Sequence, residues 1–317
     1  MKKYSIILIL FVLFLLLAVA IFTLVIPENS DVIKVGYLPT DHSAALLVAK
    51  HNKLYEKNGL NVQTVQISAG SNIVDAVASG DLDIGYVGIT PTMQGISKGV
   101  PIKVVGAVNL EGSGIVVQPN STITSPADLI GKNIASPGVS SIQQVLLQYE
   151  LEKYNITLKD VNIISMNVFN IPSSLAARKV DAYISYEPFV SMAPYQNIGE
   201  VLIYSEDIIK DHPCCVIITR EEYIENHPEK LDKFLEIHDN TTKYVNNHPN
   251  ETANILNQEL TTNLDVEHLS LQHIMFVSRI DKSFQDKVLE LVKIENQMGY
   301  LNKSLTSDDI FNTEFLG

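Results

Sequence analysis

From Val32 onward, short runs of branched and aromatic residues alternate with stretches whose apolar positions recur at helical spacing. "VIKVGYL" predicts a strand, "SAALLVAKHNKLYEKNG" a helix ending at Gly59, and "NVQTVQIS" the next strand. Helix "SNIVDAVASG", strand "DIGYVG", helix "TPTMQGISKG" and strand "IKVVGAV" follow. This βαβαβ order calls for a mostly parallel sheet with helices on both faces. The rhythm then starts again. "SPADLIGKNIAS" predicts a short helix and a strand, Val139 to Tyr154 a longer helix, then "VNIISMN", "PSSLAARK", "DAYISY" and "VLIYS" supply strand, helix, strand, strand.

The two halves share a phrase. "VASGDLDIGYVG" (Val77 to Gly88) and "LAARKVDAYISY" (Leu175 to Tyr186) align without a gap and match Asp83 to Asp181. Each ends a helix, turns within a few residues and enters a strand, which is the pattern of two lobes with one architecture. After Thr219 the periodicity is helical only: Leu231, Phe234, Leu235, His238, Tyr244 and Val245, then Phe284, Val288, Leu291 and Val292. His238 on that apolar stripe reads as a packed core residue. These helices are expected to cover the first lobe. The chain would then cross between lobes twice, near "NLEGSGIVV" and near "SEDIIKDHP", and two crossings make a hinge with a ligand cleft between the lobes. The expected division is 1–30 as a membrane anchor or signal, 31–112 with 214–317 as the first lobe, and 113–213 as the second.

Residues 1–30 stand apart. Lys2-Lys3 precede an unbroken apolar run of 23 residues, Tyr4 to Ile26, which as a helix reaches roughly 34 Å and would cross a bilayer. The apolar part of a cleaved signal is about 7–15 residues. Ala18-Val19-Ala20 has the form of a cleavage site, but cutting there would leave "IFTLVI" on the mature chain. The expectation is an uncleaved anchor with the rest of the chain outside; the alternative is a secreted or periplasmic protein. A formal net charge of −13 argues against a nucleic-acid partner, since phosphate contacts need a basic face. Cys214 and Cys215 are adjacent in a predicted strand; a bridge between neighbours would be strained, so they read as two small buried apolar residues.

Catalytic motifs are missing. There is no G-x-S-x-G or G-x-G-x-x-G, and "GKN" at Gly131 lacks the rest of a phosphate loop. The eight histidines show no H-x-x-x-H spacing, so neither a metal nor a cofactor is expected. What remains is a set of turns between strand ends and helix starts. "GYLPTDHSA" places Tyr37, Thr40 and His42, "SAGSN" places Gly70 and Ser71, "GITPT" places Thr90, and "PGVSS" places Ser140 and Ser141. Any single turn is explained by N-capping. Four turns converging on one cleft point to a ligand held by backbone N–H groups and hydroxyls at helix starts.

The stretches "VGYLPTDHSAALLVAKHNKLYEKNGLNVQ", "AGSNIVDAVASGDLDIGYVG", "SPADLIGKNIASPGVSS" and "KVDAYISYEPF", in that order, resemble the substrate-binding proteins of nitrate/sulfonate/taurine-type ABC importers and their thiamine-pyrimidine-binding relatives. The likeness runs from about Val32 to Thr219. It implies a two-lobed α/β, type II periplasmic-binding-protein fold, a small polar ligand clamped between the lobes, a permease as partner and a monomeric chain without catalysis. Carried over by position, it adds Glu187 of "YEPF" to Tyr37, His42, Ser71, Thr90, Ser140 and Ser141 as ligand contacts. With no Lys or Arg in these turns, a zwitterion whose ammonium meets Glu187, or a heteroaromatic stacked on Tyr37 or Tyr186, fits better than a plain anion. Two alternatives stay open. One is a surface sensor, and the other an enzyme resembling the yeast-type thiamine-pyrimidine synthases, whose cysteine-rich motif is here only "PCC".

Overall fold

The computed structural model describes residues 32–315. The apolar run Tyr4–Ile26 lies outside them, and among the described residues no helix is long and apolar enough to cross a membrane. Among the described residues, eleven strands form two sheets within one compact unit. The first sheet takes β1 (Val32–Tyr37), β2 (Asn61–Gln66), β3 (Ile84–Gly88), β4 (Ile102–Glu111), β10 (Pro213–Arg220) and β11 (Ile274–Phe276), in the order β11-β4-β10-β3-β1-β2. The second takes β5 (Ser113–Val117), β6 (Asn133–Ser136), β7 (Asn162–Ser165), β8 (Ala182–Tyr186) and β9 (Glu200–Tyr204), in the order β7-β6-β8-β5-β9. Counted within its own half, each sheet runs second, first, third strand, then the strand that follows a crossing, then a fourth. That inserted strand, β10 in one sheet and β5 in the other, is antiparallel to both neighbours, whereas β1–β3, β6–β7 and β6–β8 pair in parallel. Central strands are buried on both faces, which is why β3, β5, β8 and β10 read as nearly continuous apolar runs.

The phrase shared by the two halves has a physical basis. The Asp83 N–H donates to the Lys34 carbonyl and its Oδ2 accepts from the Lys34 N–H, both at 2.9 Å. Asp181 repeats the clasp on Asn133, at 2.9 Å and 2.8 Å. In each sheet this aspartate closes the parallel pair of first and third strands at its entry, one residue before the ladder begins.

The segment after Thr219 departs from the all-helical expectation. Helices Pro228–Asn247 and Pro249–Leu260 pack on helix Ala44–His51 of the first half. Between the later helices the chain adds β11 as an edge strand on β4, with Met275 turned outward and Ile274 and Phe276 inward; three residues are too few to show a period of two. Helix Leu264–Ser270 touches helix Phe189–Tyr195 of the second half, and Tyr195 donates to Asp265 Oδ2 at 3.1 Å. His238 is fully buried: Tyr86 OH donates to its Nδ1 at 3.0 Å and its Nε2–H donates to the Ala107 carbonyl at 2.8 Å. Burial lowers its pKa to about 4, so the ring is neutral.

The crossings run side by side. Glu111 and Gly112 carry the chain from β4 to β5 with φ of 61° and 84°, and Asp211 has φ of 55° just before β10. The Asp211 N–H donates to Glu111 Oε1 at 2.7 Å and the Glu111 N–H to the His212 carbonyl at 3.0 Å. Gly112 is required twice over: by its positive φ and because a Cβ there would lie 2.5 Å from His42 Nε2.

Candidate functional site

A cavity of about 310 Å³ opens between the two sheets. The turns after β1, β2, β3 and β6 line it together with the last residues of β7 (Ser165) and β8 (Tyr186), so it sits at the carboxyl ends of the parallel strands of both halves. Of the residues expected there, Thr40, His42, Gly70, Ser71, Ser140 and Ser141 line it.

Tyr37, Thr90 and Glu187 do not, and each has found a partner inside the protein. The Tyr37 hydroxyl accepts from Gln66 Nε2 at 3.0 Å. Thr90 is fully buried and donates to Glu295 Oε1 at 2.5 Å. Glu187 is fully buried; Ser191 donates to its carboxylate from the backbone N–H at 2.9 Å and from the hydroxyl at 2.8 Å. An ammonium paired with Glu187 therefore has no support in this geometry.

Helix starts dominate the wall. Ala44–His51, Gly70–Ser79 and Ile89–Ser97 have N-caps Ser43, Ala69 and Gly88, none with a side-chain capping bond. All three residues line the cavity, but helix Ala44–His51 continues the 3-10 turn Asp41–Ser43, whose Asp41 carbonyl takes the Ala44 N–H, so it is at Gly70–Ser79 and Ile89–Ser97 that first-turn N–H groups are left for whatever enters it. The helix Ile142–Glu152 differs. Ser141 accepts from the Gln144 N–H at 3.2 Å and donates to the Gly138 carbonyl at 2.7 Å, so its hydroxyl is a conventional cap and not an open one. Ser140 makes no such bond, and Val139 beside it is 65% exposed. Leu38, Val108, Ile142, Tyr86 and Tyr186 form the apolar wall, and no Lys, Arg, Asp or Glu lines the cavity.

The cysteines are buried and unbridged, as expected, but the sequence did not show that they meet a histidine. A regular strand sends neighbouring side chains to opposite faces. Pairing of β10 with β4 shifts register between Pro213 and Cys215 and again between Cys215 and Val216. With the ladder broken there, both sulfurs come to one imidazole: Cys214 Sγ lies 3.4 Å and Cys215 Sγ 3.5 Å from His42 Nδ1, with 3.8 Å between the sulfurs. Both thiols are free, buried and part of the cavity lining. No spacing rule finds such a cluster, because His42 and Cys214 are 172 positions apart.

Residues 27–258 match one family profile. The chain belongs to the NMT1-like family. A Bacillus subtilis protein with the provisional name of an aliphatic sulfonates-binding protein is 26% identical over 216 residues, 66% of this chain and 64% of that protein. The taurine-binding periplasmic protein of Escherichia coli is 29% identical over 197 residues, 62% of this chain and 61% of that one. The chain thus aligns with less than two thirds of the length of either. The ligand-binding component of an ABC-type import system from Staphylococcus aureus, solved with zinc bound, superposes with a TM-score of 0.79 at 23% identity, covering 89% of this chain and 96% of that one. The fold is the two-lobed one of periplasmic binding proteins.

Around the cavity of this NMT1-like chain the buried carboxyls are biased toward the neutral form. Burial pushes Glu187 up to about 7, against the two bonds from Ser191. Burial and the neighbouring Glu267 hold Asp41 well above its ordinary range, and burial raises Glu267 as well. Ser270 donates to Asp41 and Thr262 to Glu267, where the turn after β1 meets helix Leu264–Ser270. Burial would depress the His42 pKa, but the Cys214 charge and hydrogen bond outweigh it and leave it raised. Cys214 is pulled down by its bond to Cys215 and by His42, despite its burial.

Proposed function

We propose that this chain is an extracytoplasmic solute-binding protein that closes its two lobes over a small organic sulfonate and passes it to an ABC importer permease. One observation carries the reading: a cavity between two sheets, walled by two uncapped helix starts and by apolar side chains, with no charged carboxylate or ammonium in its lining. Such a wall suits an anionic head on the helix N-termini and an alkyl tail on Leu38, Val108 and Ile142. Relatives named for sulfonate and taurine binding favour the same class. In this reading 31–112 with 214–317 move as one lobe and 113–213 as the other about the paired crossings, and the chain binds its ligand without altering it. Cys214, 1% exposed, is poorly placed as a nucleophile.

Calorimetric titration with ethanesulfonate, taurine and nitrate tests this. Ethanesulfonate should bind, and Ser140→Ala should weaken it about tenfold, the loss of one hydrogen bond to a charged group. Glu187→Gln should leave its affinity within about twofold, since that carboxylate faces Ser191. Taurine should bind more weakly than ethanesulfonate, its ammonium lacking a carboxylate partner. No binding by any of the three anions, or recovery of a chemically altered ligand, would replace the reading.

We further propose that Tyr4–Ile26 anchors the chain, with the lobes outside the cell. The protein should then fractionate with membranes and retain Lys2-Lys3; a mature form starting near Ile21 or Ser30 would show a cleaved signal instead.

A further inference from the structure

We infer that His42, Cys214 and Cys215 form a three-ligand site for a soft metal cation, Zn(II) or Cu(I), in the cavity wall, with the remaining coordination position turned to the cavity. The three donor atoms already occupy one face of a coordination tetrahedron. Zinc bonds of about 2.3 Å to sulfur and about 2.0–2.1 Å to nitrogen, at tetrahedral angles, place two sulfurs about 3.8 Å apart and a sulfur about 3.5–3.6 Å from nitrogen. The separations here are 3.8 Å between sulfurs and 3.4 Å and 3.5 Å from sulfur to His42 Nδ1. A metal ion fits without moving any of the three by more than about 0.2 Å, within the tolerance of such sites.

Two supporting features lie outside the ligand set. His42 Nε2 is 3.1 Å from the Gly112 carbonyl, which can only accept, so the ring proton sits on Nε2 and the Nδ1 lone pair is directed at the sulfurs. A histidine ligand held through its far nitrogen in this way is the usual second support of a metal site. The other is the doubled register shift in β10, which lets two consecutive residues serve one centre. Two thiolates and an imidazole select soft ions over calcium or magnesium. Three protein ligands leave a position for a donor from the cavity, the arrangement of exchangeable rather than closed sites. The three-ligand site itself is independent of the sulfonate reading, because metal binding is tested with metal ions alone; the direction of its open position is the part that rests on that reading.

The experiment uses the purified protein, reduced and stripped by a chelator, titrated with Co(II). One equivalent should produce a thiolate-to-cobalt charge-transfer band and the visible bands of tetrahedral cobalt, and Zn(II) should displace it. Cys214→Ser, Cys215→Ser and His42→Gln should each lower affinity by at least about a hundredfold, since loss even of an outer support costs ten- to a hundredfold. Zinc should also shield both thiols of the unaltered protein from a disulfide reagent, a readout that needs no variant to fold. Cu(I) binding tighter than zinc, and lost in the same variants, supports the site and names its ion. Ethanesulfonate added to the cobalt form should shift the visible bands if the open position faces the cavity; unchanged bands with ethanesulfonate bound would overturn that part. Absence of the charge-transfer band, thiols left unshielded by zinc, or equal metal binding by the variants overturns the site.

Discussion

Gly112→Ala should lower the melting temperature by roughly 4–20 °C. The substitution puts a Cβ on a residue with φ of 84°, a conformation that costs an L residue about 1–2 kcal/mol. It also drives that Cβ to 2.5 Å from His42 Nε2 and 2.9 Å from Ile274, and overpacking of this kind costs about 1–3 kcal/mol more. At about 2–4 °C per kcal/mol for a domain of this size, the sum gives the stated range. A thermal melt followed by circular dichroism measures it. The double variant His42→Ala/Gly112→Ala should recover the overpacking share and leave the backbone share, so the pair couples instead of adding. Equal and additive losses would mean that the two residues do not press on each other.

Replacing Glu295 should produce an effect of the opposite sign that grows with pH. Burial pushes this carboxyl up to about 8, against a single bond from Thr90, and Glu295 Oε2 has no partner. A folded-state pKa above the unfolded value adds stability that is full below about 4.5 and lost as pH rises through about 8. In the wild type the charged form is therefore opposed by on the order of 3 kcal/mol at pH 7 and on the order of 4–5 kcal/mol by pH 9. Glu295→Gln keeps an acceptor for Thr90 and has nothing to ionise. Its melting temperature should exceed that of the wild type by several degrees at pH 9, and the two curves should converge or cross near pH 4. A wild-type curve that stays parallel to the variant's from pH 4 to pH 9 would show that Glu295 reaches water.

How much of this was legible beforehand depended on range. Strands and helices declared themselves locally, and the match of Asp83 to Asp181 came through because both residues make the same clasp one position before a parallel ladder. Thr40, Gly70 and Ser71 were readable as cavity residues because a strand end followed by a helix start fixes their position within a few residues. Tyr37, Thr90 and Glu187 were not, although they occupy the same kind of turn. Whether such a residue faces the cavity or the interior is decided by packing that the local pattern does not show: Thr90 turns to Glu295, 205 positions away, and Glu187 to Ser191, four residues on. Strand β11 was too short to show a period. The Cys–His cluster depends on a register shift against β4, which is a property of the pairing and leaves no trace in "HPCCVIIT" itself.

The absence of Lys and Arg from the cavity wall has a consequence for kinetics. With no Lys or Arg in the lining and a formal charge of −13 on the chain, an anion approaching from solution meets repulsion until it is within reach of the helix starts. Dissolved salt shortens that repulsion, to about 10 Å at 0.1 M, but hardly affects dipoles acting at contact. Capture should therefore quicken as ionic strength rises while release stays constant, the reverse of a protein that draws its anion in with lysines and arginines.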